Sequence, residues 1–131
     1  MGQSQAFGRP VVLVVEDEPL LRMMAIDLVE DAGLEAIEAA NGDEALRLLE
    51  CRSDIRVVFT DIDMPGSMDG LDLAAAVRDR WPPIEIILTS GHIHVSEIDL
   101  PQRGAFFSKP YDHGQVMRAL QSMTGEGDDR L

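Results

Sequence analysis

Basic residues are scarce in this sequence: 11 against 24 acidic ones, for a formal charge of −13, and only one of them, Lys109, is a lysine. Such a surface repels phosphate backbones and anionic membranes, which argues against direct binding to nucleic acid or to a membrane. Part of the acidity simply keeps the chain in solution. There is one cysteine, Cys51. Neither an intramolecular disulfide nor a multi-cysteine zinc site can form from it, in keeping with a cytoplasmic compartment. No apolar run approaches the roughly 20 residues of a membrane-spanning helix. Residues 1–9 are polar, lack the apolar stretch of a signal peptide, and are expected to be a flexible lead-in. Residues 124–131 are rich in glycine and aspartate and are expected to be a flexible tail.

What remains, residues 10–123, has the length of one domain, and a hydrophobic content of 45% over the chain suffices for a packed core. Val11-Val12-Leu13-Val14-Val15 is an unbroken apolar run, and continuous rather than alternating apolarity belongs to a parallel strand covered on both faces. Pro19 suits the first turn of a helix. Leu21, Met24, Ala25, Leu28 and Ala32 continue it at helical spacing until Gly33 stops it. Residues 34–39 read as a short strand, which Glu35 and Glu38 place at a sheet edge. Asn41-Gly42-Asp43 turns the chain into a helix carrying Ala45, Leu48 and Leu49.

The pattern then repeats. Residues 55–60 form a buried strand, 61–70 a loop, 71–80 a helix, 84–89 a strand, 105–108 the last strand and 116–123 the last helix. Residues 92–100 make at best a short helix, because Gly91 and Pro101 bound them and their helical periodicity is weak. Strands alternating with helices predict an α/β domain, doubly wound, with a parallel sheet and helices on both faces. In such sheets the ligand site lies beyond the carboxyl ends of the strands.

Those ends carry chemistry. Glu16-Asp17-Glu18 follow the first strand, Asp61 the third, Thr89 the fourth and Lys109-Pro110 the fifth. Clustered carboxylates repel unless a hard cation sits among them, and Mg²⁺ takes such oxygen ligands. A carboxylate beside a metal can act as a nucleophile towards phosphorus, while metal and lysine neutralise the charge on the transferring group. Taken singly, each residue has a plainer role: an acidic pair in a solvated loop, an aspartate that caps a turn, a surface lysine. Only their joint placement points to one site.

Together these residues resemble the receiver domains of two-component response regulators, the CheY-like family. Val14-Val15-Glu16-Asp17-Glu18-Pro19 resembles the family's acidic-pair motif, and Asp61-Ile62-Asp63-Met64-Pro65, continuing through Met68-Asp69-Gly70-Leu71, its phosphoacceptor motif. Thr89-Ser90 and Lys109-Pro110 resemble the two remaining signatures, in order. The resemblance implies a flavodoxin-like strand order 2-1-3-4-5 and a phosphoryl group taken from a histidine kinase or phosphotransfer protein on Asp61. It implies Mg²⁺ or Mn²⁺ held by Glu16, Asp17, Asp61 and the main-chain carbonyl of Asp63. It also implies phosphoryl contacts from Thr89 and Lys109, a cis Lys109-Pro110 bond, and an aromatic switch at Phe106. A receiver of this kind catalyses only its own phosphorylation and dephosphorylation, and signals to a downstream protein through a conformational shift.

The sequence departs from the family pattern in places. Gly66-Ser67-Met68 is one residue longer than usual, and Asp63 adds an acid beside the metal. The stretch between Thr89 and Phe106 is short, so the fourth helix is expected to be short or irregular, easily opened, and ordered by phosphorylation. Two other functions are compatible with parts of the sequence. Asp61-Ile62-Asp63 also fits a phosphatase of the Asp-x-Asp type, although that motif normally follows a first strand and works with a cap domain. A receiver fold that binds partners without phosphorylation is the other.

Overall fold

The computed structural model describes residues 9–92 and 103–125. Its strands are β1 (Val11–Val15), β2 (Glu35–Ala39), β3 (Ile55–Asp61), β4 (Glu85–Ser90) and β5 (Gly104–Ser108). The helices among the described residues are α1 (Pro19–Asp31), α2 (Gly42–Cys51), α3 (Gly70–Arg80) and α4 (His113–Thr124). All strand pairs are parallel, in the order β2-β1-β3-β4-β5. This is the doubly wound sheet expected from the sequence. β2 lies at the edge, with Glu35 and Glu38 exposed there.

The unbroken apolarity of β1 is explained by its two faces. Val11, Leu13 and Val15 point into a core with Val58, Ile86 and Leu88, closed by Ala45 and Leu49 of α2 and Leu73 and Val77 of α3. Val12 and Val14 point the other way, towards Val57, Phe59 and Ile87, closed by Leu28 and Val29 of α1 and Val116 and Leu120 of α4. Side chains alternate along a strand, so a strand covered twice needs an apolar residue at every position. Each fully buried Val or Leu contributes roughly 1.5–3 kcal/mol of burial free energy.

Local chemistry fixes where the helices begin. Asn41 accepts from the Glu44 amide at 2.8 Å and Asp112 from the Gln115 amide at 3.0 Å. Asp69 and Asp72 form a reciprocal capping box at 2.9 and 3.1 Å. Helix α1 has no side-chain cap and starts on Pro19. Gly33, at φ +88°, ends its chain reversal, as glycine can at little cost.

Three expectations need correction or fall outside the structure. Leu21 and Met24 share the helical spacing of Ala25 and Leu28, yet they are 37% and 46% exposed. They sit on the opening turns of α1, where they line an open cavity rather than the core, and Val29 takes up the burial instead. Thr124, expected to begin a flexible tail, is the buried last residue of α4, before Gly125 at φ +80°. The short or irregular fourth helix, and the expected mobility around it, fall on residues 93–102, outside the described residues. So do most of the lead-in and tail.

Gly70 holds α3 against the end of β3. A Cβ there would clash with the Asp61 carbonyl oxygen and with the Ile62 Cα, and both are backbone atoms that cannot swing away. Gly70→Ala is therefore expected to destabilise the fold by about 3 kcal/mol, against about 1 kcal/mol for loss of the cap in Asp69→Ala. Urea unfolding of the two variants checks this; equal midpoints would mean that α3 can simply shift outward.

Candidate functional site

The carboxyl ends of β1, β3, β4 and β5 meet on one side of the sheet. The β3–β4 register sets Asp61 directly beside Thr89, and the Ile62 amide bonds the Thr89 carbonyl at 2.8 Å. Thr89 is 3% exposed. The ladder thus delivers a carboxylate and a hydroxyl side by side on a rigid frame. Glu16 follows β1 and its amide bonds the Ala39 carbonyl at 3.1 Å, which anchors the acidic loop to β2. Lys109 follows β5, and its amide bonds the Ser90 carbonyl at 2.9 Å.

The side chains converge. Ligand oxygens of Glu16, Asp17 and Asp61 all lie within 4.8 Å of one another. Lys109 Nζ stands 3.3 Å from Asp61 Oδ1 and 3.5 Å from Glu16 Oε1. Its contact with Asp61 is an ion pair rather than an aligned hydrogen bond, for Asp61 Oδ1 is buried and accepts no hydrogen bond from the described residues. Burial holds the Asp61 carboxyl above its usual range, and the Lys109 ammonium only partly offsets this. Burial raises Glu16 likewise, against a hydrogen bond from the Glu18 amide and the pull of Lys109. For Lys109, burial alone would lower the ammonium, but the neighbouring Asp61 and Glu16 charges outweigh it and the result is a raised pKa. One ammonium faces several carboxylates, so the site retains unbalanced negative charge.

An unbonded, buried carboxylate oxygen beside two more carboxylates is what a hard divalent cation satisfies. The donor set fits Mg²⁺, which prefers carboxylate oxygens and keeps some of its waters. Asp63 stands apart from this trio: its carboxylate accepts from Ser90 Oγ at 2.6 Å, turned towards β4. Phe106 sits on β5 opposite Leu88, half-buried against the core. The Lys109-Pro110 bond is cis, as the resemblance implied.

Sequence reading missed two participants. Arg22 donates to the Glu16 carbonyl at 2.8 Å while its Nε pairs with Glu38 at 2.8 Å, so it clamps the acidic loop between α1 and β2. Nothing in the local pattern marks it, since an arginine on a helix is ordinarily a solvated residue. Ser90 was visible as part of Thr89-Ser90 but had no role assigned. A cavity of about 330 Å³ also opens beside Asp61 and Lys109, walled by Leu21, Met24, Phe59 and Tyr111.

This geometry meets a matching family. The profile described as Response regulator receiver domain matches residues 12–121. The chain belongs to the response regulator receiver domain family. It is 30% identical to the Sensor kinase CckA of Brucella abortus over 125 residues, covering 92% of this chain and 13% of that protein. It is 34% identical to the DNA-binding transcriptional regulator NtrC of Salmonella typhimurium over 116 residues, covering 86% of this chain and 24% of NtrC. The chain thus spans well under a third of the length of either relative. Among solved structures it resembles a response regulator receiver protein from Pseudomonas putida, with a TM-score of 0.75 and 28% identity. That match covers 88% of this chain and 98% of the other. As a receiver domain it is a phosphoacceptor module of two-component signalling. No helix among the described residues is long and apolar enough to cross a membrane.

The raised carboxyls carry a sign. A carboxyl whose pKa is higher folded than unfolded adds stability while protonated, at low pH. That contribution is lost as pH rises through the folded value, so at neutral pH the Asp61 charge is a net cost to the metal-free fold. Asp61→Asn is expected to raise the metal-free melting temperature at pH 7 by a few degrees, with the gap to the parent narrowing in Mg²⁺ and at pH 4. Calorimetry with and without chelator checks this. A lower melting temperature for the variant would mean that the Lys109 pair outweighs the burial cost.

Proposed function

We propose that Asp61 is the residue phosphorylated, and that the donor is the phosphohistidine of a histidine kinase or phosphotransfer protein. The observation that carries this is the Asp61 Oδ1 atom, which is buried and, among the described residues, accepts no hydrogen bond and is faced by a single ammonium. An oxygen left in that condition keeps a lone pair available for attack on phosphorus. In the transfer a bond forms from an Asp61 oxygen to phosphorus as the phosphorus–nitrogen bond of the donor breaks, returning the imidazole to its protein.

Lys109, already paired to Asp61, is placed to follow a developing charge on the phosphoryl oxygens. Thr89, beside Asp61 on the ladder, offers its hydroxyl to another of those oxygens. Glu16, Asp17 and Asp61, with the Asp63 main-chain carbonyl, would hold Mg²⁺ or Mn²⁺, whose chemistry when bound is to neutralise charge on the group transferred. The apolar wall of the cavity, with Leu20 and Met23 exposed at 67% and 59% on the same turns of α1, gives a donor protein an uncharged contact beside Asp61. Phe106 is the proposed switch, turning as Thr89 moves, to be read by a downstream protein. The cytoplasm, where such kinases present their phosphohistidine, is the compartment this role requires. The lead-in at 1–9, receiver at 10–123 and tail remain the working division of the chain, with Thr124 joined to the receiver.

Turnover of external phosphoesters, as in an Asp-x-Asp phosphatase, would need the Asp63 carboxylate to face the substrate as acid and base. It is bonded to Ser90 instead, and the acceptor reading needs no such group.

Incubation with Mg²⁺ and acetyl phosphate is expected to add one phosphoryl mass to the parent and none to Asp61→Asn, since an amide is not a competent nucleophile. Labelling of that variant at the parent's level would transfer the role to another carboxylate, Asp63 first. Lys109→Ala is expected to bind Mg²⁺ at least as tightly as the parent, because a nearby cation opposes the metal. It should still fail to change conformation on phosphorylation. Calorimetric titration with Mg²⁺ reads the first effect, and a clear loss of affinity would show that Lys109 orders the metal site rather than opposing it.

A further inference from the structure

Ser90 ends β4, next to Thr89, and is fully buried. Its hydroxyl donates to Asp63 Oδ2 at 2.6 Å and accepts from the His92 amide at 3.0 Å. Its carbonyl accepts from the Lys109 amide at 2.9 Å. A serine hydroxyl has one proton. With that proton given to a carboxylate the bond is charge-assisted and short, and the oxygen becomes a better acceptor for His92. One residue therefore joins the loop after β3, the chain leaving β4 and the start of the β5 loop. The Asp63 carboxylate is engaged at its Ser90 end, which keeps it out of the Glu16–Asp17–Asp61 cluster.

We propose that Ser90 is a positioning residue whose hydroxyl makes the Asp63 loop and the chain leaving β4 move as one unit. Occupancy of the metal site is then registered at residues 91–92 before any phosphoryl group arrives. The inference rests on the metal-binding reading above and goes beyond it, because it assigns the relay to a residue outside the carboxylates that would hold the metal. The bond also explains how an extra acid is tolerated beside an acidic site: Ser90 holds its carboxylate to one side while its main chain stays with the metal loop.

Amide NMR of the whole chain titrated with Mg²⁺ alone tests this. In the parent, the His92 amide is expected to shift along the same binding curve as the Asp61 and Asp63 amides. Ser90→Ala should still bind Mg²⁺, about three- to tenfold more weakly, and lose most of the His92 shift. Asp63→Asn and Asp63→Ala remove the same charge, but only the second removes the acceptor. The Asn variant should therefore keep the His92 response and the Ala variant lose it. The double variant, Ser90→Ala with Asp63→Ala, should be no worse than Asp63→Ala alone. If Ser90→Ala does not fold, the Asp63 pair tests the same bond from its exposed end. A His92 shift in either alanine variant as large as in the parent, or additive losses of affinity, overturns the proposal. Parent shifts at Asp61 and Asp63 without one at His92 overturn it alone. No Mg²⁺-dependent shift anywhere in the parent overturns the metal reading, and the relay with it.

Discussion

Carboxylates crowded at the carboxyl end of the sheet, partly withdrawn from water, repel one another, and much of the neighbouring structure acts to hold them there. Glu16 and Asp61 are each less than a tenth exposed, so solvent screens their charges poorly. Backbone bonds resist their separation: Glu16 to β2, Ile62 to β4, Lys109 to Ser90. Arg22 adds a guanidinium on the main chain of the acidic loop rather than on its carboxylates. It restrains the loop without neutralising the site. Lys109 alone supplies a positive charge within ion-pair distance of Asp61 among the described residues. The imbalance suits the acceptor role proposed for Asp61: a site fully neutralised by its own side chains would have little use for a metal or for an incoming anion held by one.

That imbalance can persist because the rest of the domain is so well satisfied. β1 is buried over its whole length and packs on both faces. Native domains retain only about 5–15 kcal/mol of net stability, so an uncompensated charge at the edge is tolerable only over a core of this kind. The contrast also separates the two halves of the molecule. The strands and the lower parts of the helices are selected for packing, and the loops at the carboxyl edge for charge and reach.

The sheet was legible because β1 is apolar throughout, β3 and β4 carry runs of consecutive apolar residues, and the residues between them have helical spacing or turn chemistry. The site was legible because its members stand at strand ends, where a parallel sheet must bring them together. What escaped reading was set by contacts distant in sequence. Arg22 meets Glu38 across 16 positions and Ser90 meets Asp63 across 27, and neither pairing leaves a local pattern. Leu21 and Met24 failed for a different reason. Helical periodicity says which side of α1 they share, but not that an open cavity lies against these turns in place of close packing.

The loop between Pro65 and Asp69 is closed off at its base. The Met64 and Gly70 amides both bond the Ile62 carbonyl, each at 3.0 Å, so the chain leaves and re-enters the domain through a narrow neck. Whatever lies beyond that neck is excluded from the ladder that aligns Asp61 with Thr89. Loop closure adds only about 0.6 kcal/mol per doubling of length, so the tip around Gly66 and Ser67 can lengthen, shorten or carry an inserted peptide with the pairing of Asp61 and Thr89 undisturbed. Met68, packed against Gly42, marks the limit on the return side. Related chains are thus free to diverge at this tip, and a reporter grafted there would ride on the domain as a passenger.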